Sequence, residues 1–144
     1  MEATRYFEDI ALGEVVSTPG RTVTEADVVR FAGISGDPEG LDRSQASSGQ
    51  RAPVPDLMVM AFTSGLGFRA AAPQPVVLAF MVFEWRFLAP VWPGDTLHCR
   101  MQVTAKRGLK EGGVLVEKRE ILNQRGEVVQ EGEYKILVAR RPRA

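Results

Sequence analysis

FEWRFLAPVWPGDTL, residues Phe83 to Leu97, runs as a strand into a Pro-Gly-Asp turn and out into a second strand. Aromatic and β-branched residues favour the pleated, half-buried surface of a sheet, and a proline followed by glycine ends it. Downstream of the turn, Leu97, Cys99, Met101 and Val103 fall on one face and His98, Arg100 and Gln102 on the other, the period of a strand with one side buried. Four strands are therefore expected in the C-terminal half: Val76–Leu88, Thr96–Lys106, Val114–Leu122 and Glu127–Ala139. The segments between them, WPGD, GLKEGG and NQRG, have turn compositions, and strands joined by short turns pair antiparallel.

Upstream, a helix is expected from Pro55 or Asp56 to about Arg69, with proline and an acid in the first turn and Pro73 and Pro75 beyond its end. Leu57, Met58, Val59, Met60, Ala61 and Phe62 leave no polar stripe, so this helix must be covered on most sides. The four strands supply the cover. Nearer the N-terminus, a short strand is expected at Val15–Ser17. A helix then follows Thr24 as N-cap, with Val28, Phe31 and Ala32 on one face and Gly36 as its stop. Residues 38–52 have no apolar period and read as an exposed loop.

The chain of 144 residues, 44% hydrophobic, is enough for one domain with a real core. Eighteen basic and 18 acidic residues balance, which argues against a nucleic-acid partner. Arg140, Arg141 and Arg143 read as a solvated tail. A lone Cys99 precludes an intramolecular disulfide and a cysteine-based metal cluster, and fits a reducing cytoplasm. No secretory pattern or membrane-length apolar run is present, so a soluble cytoplasmic protein with no membrane partner is expected. With one histidine, one cysteine and no glycine-rich phosphate loop after a strand, neither a metal nor a redox cofactor is expected.

Four segments, RYFEDIALGEV, RTVTEADVVRFAGISGD, FEWRFLAPVWPGDTL and GEVVQEGEYKILV, resemble the MaoC-like dehydratase family in content and order. The resemblance implies an α+β hotdog fold, a curled antiparallel sheet wrapped around a long central helix, as a single domain over residues 1–144. It also implies an acyl thioester of coenzyme A as substrate, with coenzyme A entering only as part of it. Hotdog domains of this kind usually dimerise with sites at the subunit boundary, so a homodimer or higher oligomer is expected, or a heteromer with an active MaoC-like subunit.

In hydratases of the family the phrase ending in SGD continues as DxNPxH, whose Asp and His share general acid and base work on water and the α carbon. Asp37 matches the aspartate, while Glu39, Gly40 and Asp42 stand where Asn, Pro and His are expected. An ordinary aspartate titrates near 3.9 against about 6.5 for histidine, so Asp42 needs a large upward shift to donate a proton. A close carboxylate pair, Asp37 with Glu39 or Asp42, could provide it. The only histidine, His98, lies on the outward face of its strand.

Where family enzymes commonly read AHGM, this chain reads Val54, Pro55, Asp56, Leu57. Helix N-terminal N–H groups could still hold a thioester oxygen, with Asp56 either capping them or serving as the base of a hotdog thioesterase. Leu57, Met58 and Met60 are the candidate substrate-binding residues, and Met58, Met60, Phe62, Met81 and Phe83 could line an acyl tunnel or simply pack the core. Three readings follow: a hydratase-like lyase using Asp37 with a nonstandard partner, a noncatalytic acyl-thioester-binding or partner subunit, and an acyl-CoA thioesterase.

Overall fold

The computed structural model describes residues 4–37 and 52–143. A 3-10 turn at Phe7–Asp9 precedes β1 (Val15–Ser17), β2 (Arg21–Thr22) and α1 (Glu25–Ser35). Then come α2 (Asp56–Phe68), β3 (Val77–Phe87), β4 (Thr96–Leu109), β5 (Gly112–Leu122) and β6 (Val128–Val138). The strands form one antiparallel sheet in the order β1-β4-β5-β6-β3, with β2 also on β4. It curls around α2, the hotdog arrangement that the resemblance implies.

Local chemistry explains the elements. Thr24 caps α1 by accepting from the Asp27 N–H at 3.2 Å, and Asp27 answers by accepting from the Thr24 N–H at 2.9 Å. Gly36 ends the helix at φ 74°, a left-handed conformation that costs glycine little. In the Pro-Gly-Asp turn, Asp95 is buried, accepts from the Trp92 N–H at 2.9 Å and from Gln124 at 2.8 Å, and so locks the link between β3 and β4.

The inward face of β4 is as the alternation predicts, with Leu97, Cys99, Met101 and Val103 buried. Val23, Val28, Met58, Val59, Leu97 and Ile121 form a core cluster at the start of α2. Each such side chain contributes about 2 kcal/mol by leaving water. A second cluster of Ile10, Val103, Leu115, Tyr134, Ile136 and Val138 lies under the N-terminal arm.

Three expectations change, and two short elements are new. The strands β4 and β5 run to Leu109 and from Gly112, so the turn between them is only Lys110 and Glu111; the glycines pair across the ladder rather than loop out. The basic tail is not simply solvated, because Arg141 pairs with Asp9 of the N-terminal arm and Arg140 donates to the Gly112 carbonyl at the start of β5 at 3.0 Å. The two-residue strand β2 and the turn at Phe7–Asp9 were too short to show an apolar period. Finally, the sheet covers only one side of α2: Leu57, Ala61, Ser64 and Phe68, spaced along one helix face, stay exposed. No helix among the described residues is long and apolar enough to cross a membrane.

Candidate functional site

The start of α2 is held by a buried amide. Gln130, fully buried on β6, accepts from the Trp85 indole N–H at 2.8 Å and donates to the Asp56 carbonyl at 3.0 Å. Trp85 of β3 thus helps to hold the start of the helix through Gln130. Replacing Gln130 with leucine keeps the volume but strands a buried donor and acceptor, so the fold should lose about 2 kcal/mol. Chemical denaturation reads this, and an unchanged midpoint would show the bridge to be dispensable.

Pro55 is the N-cap of α2 and has no side-chain bond to offer, while Asp56 occupies the first helical position and is exposed. The expected Asp56 cap does not form, because a residue inside the first turn points away from the N–H groups that an N-cap faces. Its carboxylate makes no hydrogen bond or ion pair among the described residues. Met58 and Val59 both direct their N–H to the Pro55 carbonyl, whereas the N–H groups of Asp56 and Leu57 find no partner among the described residues. Two donors at the positive end of the helix thus stay unpaired among the described residues.

Asp37 lies half-buried immediately after the Gly36 cap, its N–H 3.4 Å from the Ser35 hydroxyl. The helix it follows sets Val28 and Phe31 in the same cluster as Val54 and Met58, so both candidate segments are carried by one packed unit. No hydrogen bond joins Asp37 to Asp56 among the described residues. Asp42 and Glu39, and the exposed loop expected over 38–52 apart from its last residue, lie outside the described residues. Leu57 is exposed and Met60 half-buried, but Met58 is only 2% exposed and packs in the core, where a ligand cannot touch it. His98 is half-buried between the fully buried Leu97 and Cys99, on the opposite face from them. Burial pushes the Cys99 thiol up to about 11, so it stays protonated and unreactive near neutral pH.

A cavity of about 440 Å³ opens between the C-terminal half of α2 and the concave face of the sheet. Gly67, Met101, Leu115, Phe83 and Tyr134 help to wall it. Of the five residues expected for a tunnel, Phe83 alone is part of that wall. On its floor lie Glu117 and Arg119, in an ion pair of 2.5 Å with side chains only 17% and 14% exposed. Arg119 also stacks 4.2 Å from the Tyr134 ring and donates to the Thr63 carbonyl at 3.3 Å. The Tyr134 and Thr63 hydroxyls share a hydrogen bond of 2.6 Å, and burial raises the phenol above its ordinary value.

Sequence reasoning passed over this pair, although a signal was there. In GGVLVEKREIL the apolar Leu115 and Ile121 share one strand face, and the same alternation turns Glu117 and Arg119 inward with them. Among the described residues, no three His, Cys, Asp or Glu side chains converge as a metal would require.

Comparison with known proteins places these features in a lineage. The chain is 37% identical over 108 residues to Protein MaoC of Klebsiella aerogenes, covering 72% of this chain and 31% of that protein. It is 33% identical over 147 residues to the β-methylmalyl-CoA dehydratase of Chloroflexus aurantiacus, covering 94% and 40% respectively. This chain thus spans well under half the length of these curated relatives. The crystal structure of a monoamine oxidase regulatory protein from Archaeoglobus fulgius superposes with a TM-score of 0.84 at 31% identity, covering 99% of both chains. A family profile described as MaoC like domain matches residues 8–124, and the chain belongs to the MaoC-like domain family.

Proposed function

We propose that this chain handles acyl thioesters of coenzyme A and adds water across their α,β double bond. The observation that carries this reading is Asp37, retained directly beyond the α1 cap on a helix that packs with the start of α2, where two N–H groups have no partner among the described residues. The name of the Chloroflexus relative, a dehydratase of a coenzyme A thioester, supports the substrate class. In this reading the thioester oxygen rests on the Asp56 and Leu57 N–H groups. Asp37 takes a proton from water as its oxygen bonds to the β carbon, the enolate charge gathers at those N–H groups, and a proton delivered to the α carbon completes the addition. Asp42 is the candidate partner for that delivery, and Leu57 and Met60 are the candidate contacts for the acyl group. No metal or redox group takes part.

Purified protein should bleach the conjugated thioester absorbance of crotonyl-CoA or of longer and branched enoyl-CoAs. Unchanged absorbance with all of them would remove the lyase reading. The substitution of Asp42 for the motif histidine favours a second reading, a noncatalytic subunit that completes an active partner. That reading requires a related subunit to copurify with the native protein, and turnover by a purely homomeric form excludes it. The Asp56 carboxylate, without a bond among the described residues, leaves a thioesterase as third, which would release free thiol from saturated acyl-CoA and lose that activity in Asp56→Asn.

The reading includes a homodimer. β3 is a sheet edge of 11 residues whose Leu78, Phe80, Met81, Val82 and Phe83 are all at least 41% exposed, and the bare stripe of α2 carries Leu57 and Phe68 at 58% and 73%. An apolar strand edge left open invites pairing, and a second copy placed edge to edge would cover it. Leu78→Lys with Val82→Lys puts charge on that edge at little cost to the protomer fold, since both side chains already face water. Dimer dissociation should strengthen at least ~100-fold, or about 3 kcal/mol, in sedimentation equilibrium. A wild-type monomer at micromolar concentration refutes the dimer, and an unaffected variant dimer refutes this seam.

A further inference from the structure

The Glu117–Arg119 pair occupies positions that alternation reserves for apolar side chains, in a central strand between the buried Leu115 and Ile121. An ion pair placed there adds little stability, since the cost of desolvating both charges offsets their attraction. Departures from the binary pattern of this kind concentrate at functional sites. The pair is also incompletely used. Arg119 spends its Nε on Glu117 Oε1 and its Nη1 on the Thr63 carbonyl, while Arg119 Nη2 and Glu117 Oε2 have no hydrogen-bond partner among the described residues. By contrast, the other ion pair on the cavity wall, Arg5 with Glu14, is closed on itself through both carboxylate oxygens.

An open donor next to an open acceptor specifies a ligand group. A carboxylate would gain from Arg119 and be repelled by Glu117, because the pair has no net charge to offer. A hydroxyl satisfies both at once, accepting from Nη2 and donating to Oε2. The guanidinium is held in place to do this by its stack on Tyr134 and its bond to Thr63. Seven residues of helix separate Asp56 from Thr63, about 10 Å along the axis, so a medium-length acyl chain is long enough to run from the thioester to this floor.

Resting on the thioester reading above, we propose that the cavity under α2 receives the acyl chain and that Glu117 and Arg119 select a chain bearing a hydroxyl group far from the thioester. Arg5, Glu14, Ser64 and Gln74 aside, the rest of the wall is mainly apolar and suits the chain itself.

Titration calorimetry on the native oligomer tests this with octanoyl-CoA and its ω- and (ω−1)-hydroxylated forms. Wild type should bind at least one hydroxylated form at least ~10-fold more tightly than octanoyl-CoA, an expectation of about 1.4 kcal/mol. Glu117→Leu with Arg119→Leu removes both charges together and leaves no stray ion. This double variant should bind octanoyl-CoA at least as well as wild type and show no preference for the hydroxyl. Equal wild-type affinity for all forms overturns hydroxyl selection while leaving the thioester reading intact. A preference that survives in the double variant overturns the role of the pair. Failure of every acyl-CoA to bind overturns both.

Discussion

Gly132→Ala should lower the melting temperature by about 10 °C. Gly132 sits on the concave side of β6, opposite Trp85 of β3 and Arg119 of β5. A Cβ built there would come 2.1 Å from the Glu84 carbonyl oxygen and 2.2 Å from the Trp85 ring, well inside any real contact. The oxygen is backbone, so relief requires β3 to move as a strand, which disturbs the Trp85–Gln130–Asp56 bridge as well. Overpacking costs about 1–3 kcal/mol, and a clash with backbone belongs at the upper end. For a chain of this size about 3 kcal/mol corresponds to that fall in Tm. Gly113→Ala makes an instructive control: its Cβ would also come 2.1 Å from a neighbour, but that neighbour is the half-buried Phe7 ring of the N-terminal arm. Relief there takes a shift of one side chain of the arm and not of a whole strand, so the loss should be smaller. Scanning calorimetry of both variants decides, and equal, small shifts would mean that β3 is not held as described.

Asp37→Asn should reduce kcat for enoyl-CoA hydration at least ~100-fold, the range that general acid and base groups command. The exchange keeps size and shape while removing the proton acceptor, and Asp37 lies after the α1 cap rather than inside it, so α1 should form unchanged. KM should change little, because the proposed thioester contacts are backbone N–H groups of α2 and the role assigned to Asp37 is felt in the transition state. A kcat equal to wild type would remove Asp37 from the chemistry. A large rise in KM alone would make it a binding residue instead.

Much of the scaffold was legible because its signals are local. Thr24, Asp27 and Gly36 bound α1 within their own turns, and Asp95 closes the turn before β4 by accepting from the Trp92 N–H three residues back. The inward face of β4 followed from alternation alone. The candidate site was less legible. Asp37 could be singled out only through a resemblance, Asp42 lies outside the described residues, and Met58, which has the composition of a tunnel residue, is buried in the core. A side chain suited to a tunnel is equally suited to packing, and only the path of the cavity separates the two.

The amino-acid sequence by itself determined the order of the long strands and helices along the chain, the caps of α1 and the turn at Asp95, since each depends on neighbours a few positions apart, while the wrapped-helix class came with the family resemblance. Tertiary structure alone decided three things. It joined Gln130 to Asp56 across 74 residues of chain, it left the edge of β3 and one stripe of α2 bare, and it turned Glu117 and Arg119 into a cavity under the helix. The reason is physical: propensity and periodicity act along the chain, but whether a face meets core, solvent or an open space depends on which distant segment packs against it.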